Sequence, residues 1–111
     1  EGAMGLFLLG WYPDYLDPDD YVWPFLSESG AKSLGSFYSN KFVEELMIKA
    51  RGFTGESARI PFYEKVQNIL AEDVPYIPLW QGVATCAAKK SVKGILLEPT
   101  QIFRYYILYE E

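Results

Sequence analysis

The order of the predicted elements indicates an α/β chain, mixed α+β as an isolated fragment, with three helices and about four to five short strands. An apolar run bounded by glycines opens the chain, three helix-like segments follow, and aromatic and β-branched segments close it. The 111 residues are 50% hydrophobic and 17% aromatic, which suits one domain or less with a thin core.

The first predicted element is the apolar run Met4–Leu9, which lies between Gly2 and Gly10. Apolar residues at consecutive positions indicate a strand buried on both faces, and we place it at about 4–10. Such a strand needs cover on both faces, yet only two substantial helices follow it. We therefore expect the chain to be a piece of something longer and to expose a large apolar surface when it is alone.

Three helices are predicted from apolar periodicity and from capping residues, at about 18–27, 40–51 and 57–73. Asp17 and Pro18 form a helix start, with Asp as the N-cap and Pro as the first helical residue. The acidic residues that follow Pro18 complement the positive end of the helix dipole. This pattern therefore favours a structural role for Asp17 over a ligand-binding one.

The limits of the later helices follow from local signals. Ser39 or Asn40 caps the second helix, and Gly52 is its expected stop. Pro61 requires the third helix to begin near Ser57, because a proline deeper inside a helix costs roughly 3 kcal/mol. The Ser- and Gly-rich stretch 27–37 is predicted to be a surface loop.

The remaining strands are predicted within about 76–109. The candidate segments are rich in aromatic and β-branched residues, which favour strands. They are Tyr76–Trp80, Val83–Ala88, Val92–Leu97 and Phe103–Tyr109. Pro78 assigns the first of them to a sheet edge or a bulge, since proline cannot donate to a ladder.

Composition excludes several classes of function. A net charge of −5 argues against a nucleic-acid partner, because phosphate contacts need clustered Lys and Arg. The chain has no histidine, so it cannot complete a Ser-His-Asp or Cys-His nucleophile by itself. Cys86 is its one cysteine, which excludes an internal disulfide and a cysteine-based zinc site. We expect no catalytic residue, no metal and no cofactor.

Four aspartates lie close together in the sequence, which raises two alternatives. They are Asp14, Asp17, Asp19 and Asp20. A glycosidase pair would have to flank a substrate, and carboxylates three residues apart on one loop seldom do so. A calcium loop needs a recognisable ligand spacing with a Gly and a terminal Glu, which this segment lacks.

Five short elements follow one another in an order that is typical of one family. They are Gly10-Trp11 with Asp14-Tyr15 and Asp17-Pro18, then Tyr38-Ser39-Asn40 with Leu46 and Ala50, then Arg59, Tyr63, Gln67, Ile69 and Leu70, then the stretch 73–79 (DVPYIPL), and finally Lys93-Gly94 with Phe103-Arg104. On these residues the chain resembles the extracellular solute-binding protein family 5, the oligopeptide and dipeptide receptors of ABC importers.

The resemblance implies a place in a larger receptor. Residues 1–111 would be the C-terminal portion, forming part of lobe I of a periplasmic-binding-protein type 2 fold, with 4–10 as a hinge strand that returns from the other lobe. The expected partners are the missing N-terminal lobes, the ABC transporter permease subunits, and a peptide or oligosaccharide ligand. The receptor would be extracellular or periplasmic, associated with the cell surface through an anchor outside this chain.

The resemblance also implies candidate ligand contacts in the segment Gly10–Pro18. In peptide-binding members the residue that matches Asp14 takes the α-amino group of the ligand, and the alternative is that Asp14 only ties down its own loop. Trp11 offers a flat face to a ligand, or else packs as core. Tyr12 and Tyr15 are further candidates. The sequence does not decide between peptide, sugar and other ligands. A structural alternative also stays open, in which the fragment is only part of a lobe and binds no ligand on its own.

Overall fold

Four helices make up most of the regular structure in the computed structural model, which describes residues 5–111. They are α1 (Pro18–Leu26), α2 (Glu28–Leu34), α3 (Lys41–Arg51) and α4 (Glu56–Asp73). A 3₁₀ turn at Tyr105–Ile107 separates two short strands, β1 (Val92–Lys93) and β2 (Tyr109–Glu110). The mixed class is therefore observed, and α1, α3 and α4 lie within one residue of the expected helix limits.

The core lies between α1, α3 and α4. Residues 43, 46, 47 and 50 repeat with helical spacing, so α3 presents one continuous apolar face to its neighbours. The fully packed cluster consists of Leu26, Val43, Leu46, Met47 and Val66. Asn40 begins α3 as its N-cap, because the Asn40 side chain accepts hydrogen bonds from the N–H groups of Phe42 and Val43.

Helix α1 continues past its internal proline. The Asp17 side chain caps the helix by accepting a 2.8 Å hydrogen bond from the Asp19 N–H, and Pro18 occupies the first turn. Pro24 has no N–H, so the carbonyl four residues earlier, that of Asp20, receives no helical hydrogen bond from it. Pro61 likewise lies inside α4, which runs unbroken from Glu56 to Asp73. The start of α4 at Glu56 agrees with the expectation that Pro61 requires this helix to begin near Ser57.

The surface loop expected at 27–37 was wrong, because α2 occupies most of it. Ser27 caps this helix through a 3.1 Å hydrogen bond from the Gly30 N–H to its hydroxyl oxygen. Gly35 ends it in the left-handed conformation, with φ 83°, which glycine adopts without strain. The Ser and Gly that suggested a loop are therefore the start and stop signals of a seven-residue helix.

The expected number of strands was also wrong, since residues 5–111 contain two strands and not four to five. β1 and β2 pair antiparallel, with Val92 opposite Glu110. The apolar run at 5–9, the segments 76–80 and 83–88, and most of 92–97 and 103–109 form no ladder. A strand is defined by its partner, and these segments have none within the described chain. Position 4 of the predicted first strand lies outside the described residues.

The segments without partners leave much apolar side-chain surface exposed, as expected from the sequence. Trp80 is 75% exposed and Val83 is 88% exposed. The radius of gyration is 18.0 Å, against about 13 Å for a compact domain of this size. The helices thus carry the packed part of the structure, and residues 77–111 extend beyond it.

Helices α1 and α2 approach each other closely at Gly30. A Cβ added at Gly30 would clash with the Pro24 carbonyl oxygen and would lie 2.8 Å from the Ser27 hydroxyl. Ordinarily Gly→Ala in a helix stabilises by roughly 0.5–1 kcal/mol. Here the clash involves backbone atoms, which cannot move away easily, so the sign of the effect should be reversed.

We therefore expect Gly30→Ala to destabilise the full-length protein by about 1–3 kcal/mol through overpacking. Urea unfolding followed by circular dichroism measures this free energy. Ser29→Ala is the matched control, because Ser29 is exposed in the same helix. A Gly30→Ala variant as stable as the wild type would show that α1 and α2 do not pack so closely.

Candidate functional site

The candidate ligand residues lie on the loop that precedes α1. Trp11, Tyr12, Asp14 and Tyr15 are all exposed in part or in full, and residues 14–17 form a series of bends. Pro13 is buried within the same loop. The shape of the loop depends on three carboxylates that follow it, at the start of α1.

Asp17 connects the loop to α4. Its carboxylate accepts two hydrogen bonds from the Arg59 guanidinium, at 2.6 Å from Nη1 and 2.5 Å from Nη2. Arg59 also donates to the Tyr63 hydroxyl at 2.8 Å. The hydrogen bonds from Arg59 hold the pKa of Asp17 below its ordinary value, although burial opposes them. Asp17 is thus both a helix cap and one half of an ion pair.

Asp19 connects the same turn to α3. Arg51 donates to it from Nε at 2.8 Å and from Nη2 at 2.6 Å, which is a bidentate pair. The guanidinium carbon of Arg51 also lies 3.6 Å from the centre of the Trp23 ring, a cation–π contact. The Tyr15 hydroxyl donates to Asp19 at 3.3 Å. Burial is the main factor that raises the pKa of Tyr15, and the nearby Asp19 and Asp20 carboxylates raise it further.

Asp20 is 6% exposed and contacts two of the candidate ligand residues. Its Oδ2 accepts a 2.6 Å hydrogen bond from the Asp14 backbone N–H. Its backbone carbonyl, which receives no N–H from Pro24, accepts a 3.2 Å hydrogen bond from the Trp11 indole nitrogen. One residue therefore holds the loop at two points.

The four candidate residues differ in how far contacts within the chain engage their side chains. Trp11 is 37% exposed and packs edge-on against Phe25, with ring centroids 5.1 Å apart. Tyr12 is 61% exposed. Within residues 5–111, the Asp14 carboxylate accepts no hydrogen bond and forms no ion pair, since Asp14 engages its neighbour through the backbone N–H. The proposed Asx-type bond from this side chain to its own loop is therefore not present.

Two motifs that are far apart in the sequence meet beside α4. The Tyr38 hydroxyl and the Asn40 amide donate to the same oxygen of Asp73, at 2.6 and 3.0 Å. Burial foremost, together with the Asp73 carboxylate, raises the pKa of Tyr38 to about 12. The last residue of α4 is thereby tied to the N-terminus of α3. At the other end of this pair of helices, Arg51 of α3 and Arg59 of α4 contact the start of α1.

A shallow groove of about 430 Å³ adjoins the loop on the side of α4. Its lining is largely apolar and consists of Leu16, Asp17, Pro18, Tyr21, Val22, Tyr63 and Gln67. None of the four candidate ligand residues belongs to this lining. The structure therefore places Trp11, Tyr12, Asp14 and Tyr15 on an open surface of this chain, and their role as ligand contacts stays a prediction.

Residues 5–111 contain neither a cluster of metal-binding side chains nor a helix suited to crossing a membrane. No group of three or more Cys, Asp or Glu side chains in this range is arranged to hold a metal ion. Of the helices described, none combines the length and apolarity that a membrane crossing needs.

The interactions that shape the site were only partly foreseeable. No sequence pattern assigns a role to Arg51, and Arg59 and Tyr63 are indicated only as parts of the family motif. The spacing of four residues between Arg59 and Tyr63 does place both on one helix face. Pro24 has no N–H, so the sequence itself indicates that the Asp20 carbonyl needs another donor.

The ion pair between Asp17 and Arg59 generates a prediction about pH. We expect Asp17→Asn to lower the free energy of unfolding of the full-length protein by about 2 kcal/mol near neutral pH, since Asn still caps the helix but cannot pair with Arg59. A carboxylate with a lowered pKa stabilises the fold above its ordinary value of 3.8, and this contribution is lost as the pH falls through the still lower pKa of the folded state.

The difference between wild type and Asp17→Asn should accordingly shrink as the pH falls below 3.8. Urea unfolding at a series of pH values measures it. Glu64→Gln, which removes an exposed carboxylate from α4, is the matched control and should show little difference at any pH. A difference for Asp17→Asn that does not vary with pH would contradict the ion-pair explanation.

The sequence of the chain is similar to those of several bacterial periplasmic proteins. No protein-family model matches it. The peptide transport periplasmic protein SapA of Salmonella typhimurium is 33% identical over 96 residues, which cover 85% of this chain and 18% of that protein. The probable D,D-dipeptide-binding periplasmic protein DdpA of Escherichia coli is 30% identical over 101 residues, covering 89% and 20% respectively. Di/tripeptide-binding protein 4 of Pseudomonas aeruginosa is 34% identical over 100 residues, covering 88% and 19%.

The chain spans about a fifth of the length of the curated relatives it matches. Two of these names describe binding proteins and the third describes a peptide transport protein. The similarity covers at least 85% of the chain, so it includes most of the motifs on which the resemblance rests. This confirms the resemblance expected from the sequence: over most of its length the chain is related to a segment of the solute-binding proteins of family 5.

Proposed function

We propose that this chain is part of the substrate-binding component of an ABC importer, and that the complete protein binds peptides in a cleft between two lobes. The observation that carries the proposal is the Asp14 carboxylate, which is exposed and without a partner in residues 5–111 on a loop that is otherwise braced. The relatives named for peptide and dipeptide binding support the same class of ligand.

Asp14 has the chemistry that a peptide α-amino group requires. An ammonium group pairs with a carboxylate through charge-assisted hydrogen bonds, which are stronger than neutral ones. The three neighbouring carboxylates are already engaged, Asp17 and Asp19 with arginines and Asp20 with a backbone N–H. Asp14 is therefore the member of the cluster with its acceptor positions left for a ligand.

The aromatic residues around Asp14 would contact the rest of the ligand. Tyr12 presents an exposed ring, and Trp11 retains a partly exposed face beside Phe25. Tyr15 is oriented by its bond to Asp19 and would form the far edge of the surface. The same rings could stack on a sugar, so an oligosaccharide receptor is the second candidate function. The observation that favours it is the exposed aromatic surface formed by Trp11, Tyr12 and Tyr15.

The rest of the receptor would surround this chain and connect it to the transporter. The chain would contribute to lobe I, the remaining lobes would supply the opposite wall of the cleft and cover the exposed apolar segments, and the receptor would deliver its ligand to the permease subunits. It would act outside the cytoplasm, in the periplasm or at the cell surface, and would carry out no catalysis. The anchor expected from the sequence stays a prediction.

We expect Asp14→Ala in the full-length protein, freed of bound ligand, to weaken the binding of short alanine peptides about 30-fold or more. Loss of a charge partner for the amino group at roughly 2 kcal/mol corresponds to that factor. Calorimetry with dialanine, trialanine and tetraalanine measures the affinity, and N-acetylated peptides test whether the amino group is the part recognised.

Glu64→Gln serves as the control, since it removes a negative charge from the exposed face of α4 and should leave the affinity unchanged. Unchanged affinity of Asp14→Ala for the free-amino peptides would remove the proposed contact. Binding of maltooligosaccharides in place of all three peptides would favour the second candidate, and turnover of any ligand would contradict a receptor role.

A further inference from the structure

We infer that Asp20 is a positioning residue for the ligand-binding loop: it sets the orientation of Asp14 and Trp11 together without contacting the ligand. This inference rests on the proposed function, because it concerns how the Asp14 carboxylate is presented to a peptide amino group. It assigns to Asp20 a role beyond that of an acidic residue in the first turn of a helix.

The first observation is the environment of the Asp20 carboxylate. Asp20 is 6% exposed, and within residues 5–111 it has no cationic partner, in contrast to Asp17 and Asp19. A carboxylate taken out of water needs hydrogen bonds to replace its hydration. The 2.6 Å bond from the Asp14 N–H provides one, and it fixes the backbone of the residue whose side chain is left available.

The second observation is the backbone carbonyl of Asp20. In an uninterrupted helix it would accept the N–H of residue 24, but that residue is Pro24 and has no N–H. The Trp11 indole donates to this carbonyl at 3.2 Å instead. The proline thus creates the acceptor that orients Trp11, while the side chain of the same residue orients Asp14.

The two bonds together make the loop geometry depend on one buried residue. Asp14 and Trp11 are three residues apart, and each is held by a different group of Asp20. If Asp20 lost its side-chain acceptor, Asp14 would keep its charge but lose its fixed direction. Binding of an amino group would then weaken, because the loop must be ordered at the moment of binding.

The test compares two variants of the full-length protein with the wild type, using two probes, trialanine and N-acetyl-trialanine. We expect Asp20→Ala to weaken trialanine binding about tenfold, which is 1.4 kcal/mol by the usual conversion. Asp20→Asn keeps an oxygen acceptor for the Asp14 N–H, so it should retain affinity within about threefold of wild type, as neutral hydrogen bonds have roughly half the strength of charge-assisted ones. N-acetyl-trialanine, which lacks the amino group, should bind both variants as it binds wild type.

A double-mutant cycle decides whether Asp20 acts through Asp14. In an Asp14→Ala background, Asp20→Ala should cause little further loss of trialanine affinity. An equal loss in both backgrounds, or an equal loss for both probes, would show a general structural effect and overturn the inference. Equal losses in Asp20→Asn and Asp20→Ala would show that the charge of Asp20 matters and not its positioning bond.

Pro24→Ala provides an independent variant if Asp20→Ala does not fold. The new N–H competes for the Asp20 carbonyl and displaces the Trp11 indole, while the helix gains a hydrogen bond. We expect unchanged or higher stability with trialanine affinity about threefold lower, a combination that damage to the fold would not produce. Unchanged affinity would overturn the role of the Asp20 carbonyl.

The inference and the proposed function fail in different ways. If Asp14→Ala weakens trialanine binding and Asp20→Ala does not, the receptor proposal stands and the positioning role is lost. If the wild type binds none of the alanine peptides, the proposed function fails and the inference fails with it. Val43→Ala is the control for stability, since it removes core packing at the start of α3, at the opposite end of that helix from Arg51, and should leave the affinity unchanged.

Discussion

The two aspartate–arginine pairs at the start of α1 are the interactions on which the candidate binding loop depends. Asp17 pairs with Arg59 of α4 and Asp19 pairs with Arg51 of α3, so the first turn of one helix is fixed to the ends of two others. Both pairs are bidentate, which restricts direction as well as distance. Asp20 lies in the same turn and accepts hydrogen bonds from the Asp14 N–H and the Trp11 indole, so it holds both residues in place. The positions of the carboxylates in and beside the loop are thus fixed by residues of α3 and α4, which lie outside it.

The parts of the structure that follow from neighbouring residues were the parts that sequence reasoning could predict. The cap at Asp17, the cap at Asn40 and the apolar face of α3 each depend on residues within one or two helical turns. The pairing of Asp17 with Arg59 bridges 42 positions along the chain, and no periodicity marks it. The same holds for Tyr38 and Asp73, which belong to two separate motifs 35 positions apart.

The errors in the predicted fold have two different physical causes. At α2, Ser27 and Gly35 were interpreted as loop residues, although Ser and Gly are also the residues that begin and end helices. In the terminal segments, the residue types favour strands, but strand formation needs a neighbouring strand that this range of the chain does not contain. Their apolar side chains, such as that of Trp80, stay exposed. Local composition therefore could not supply the partner that each predicted strand requires.

The ion pairs also determine when the binding loop can acquire its shape. A chain is synthesised from its N-terminus, at about 5–20 residues per second in the order given by the message. Arg59 lies 42 positions after Asp17, and Arg51 lies 32 positions after Asp19. The loop is therefore synthesised before Arg51 and Arg59, and the two ion pairs that hold it can form only after both arginines have been added to the chain.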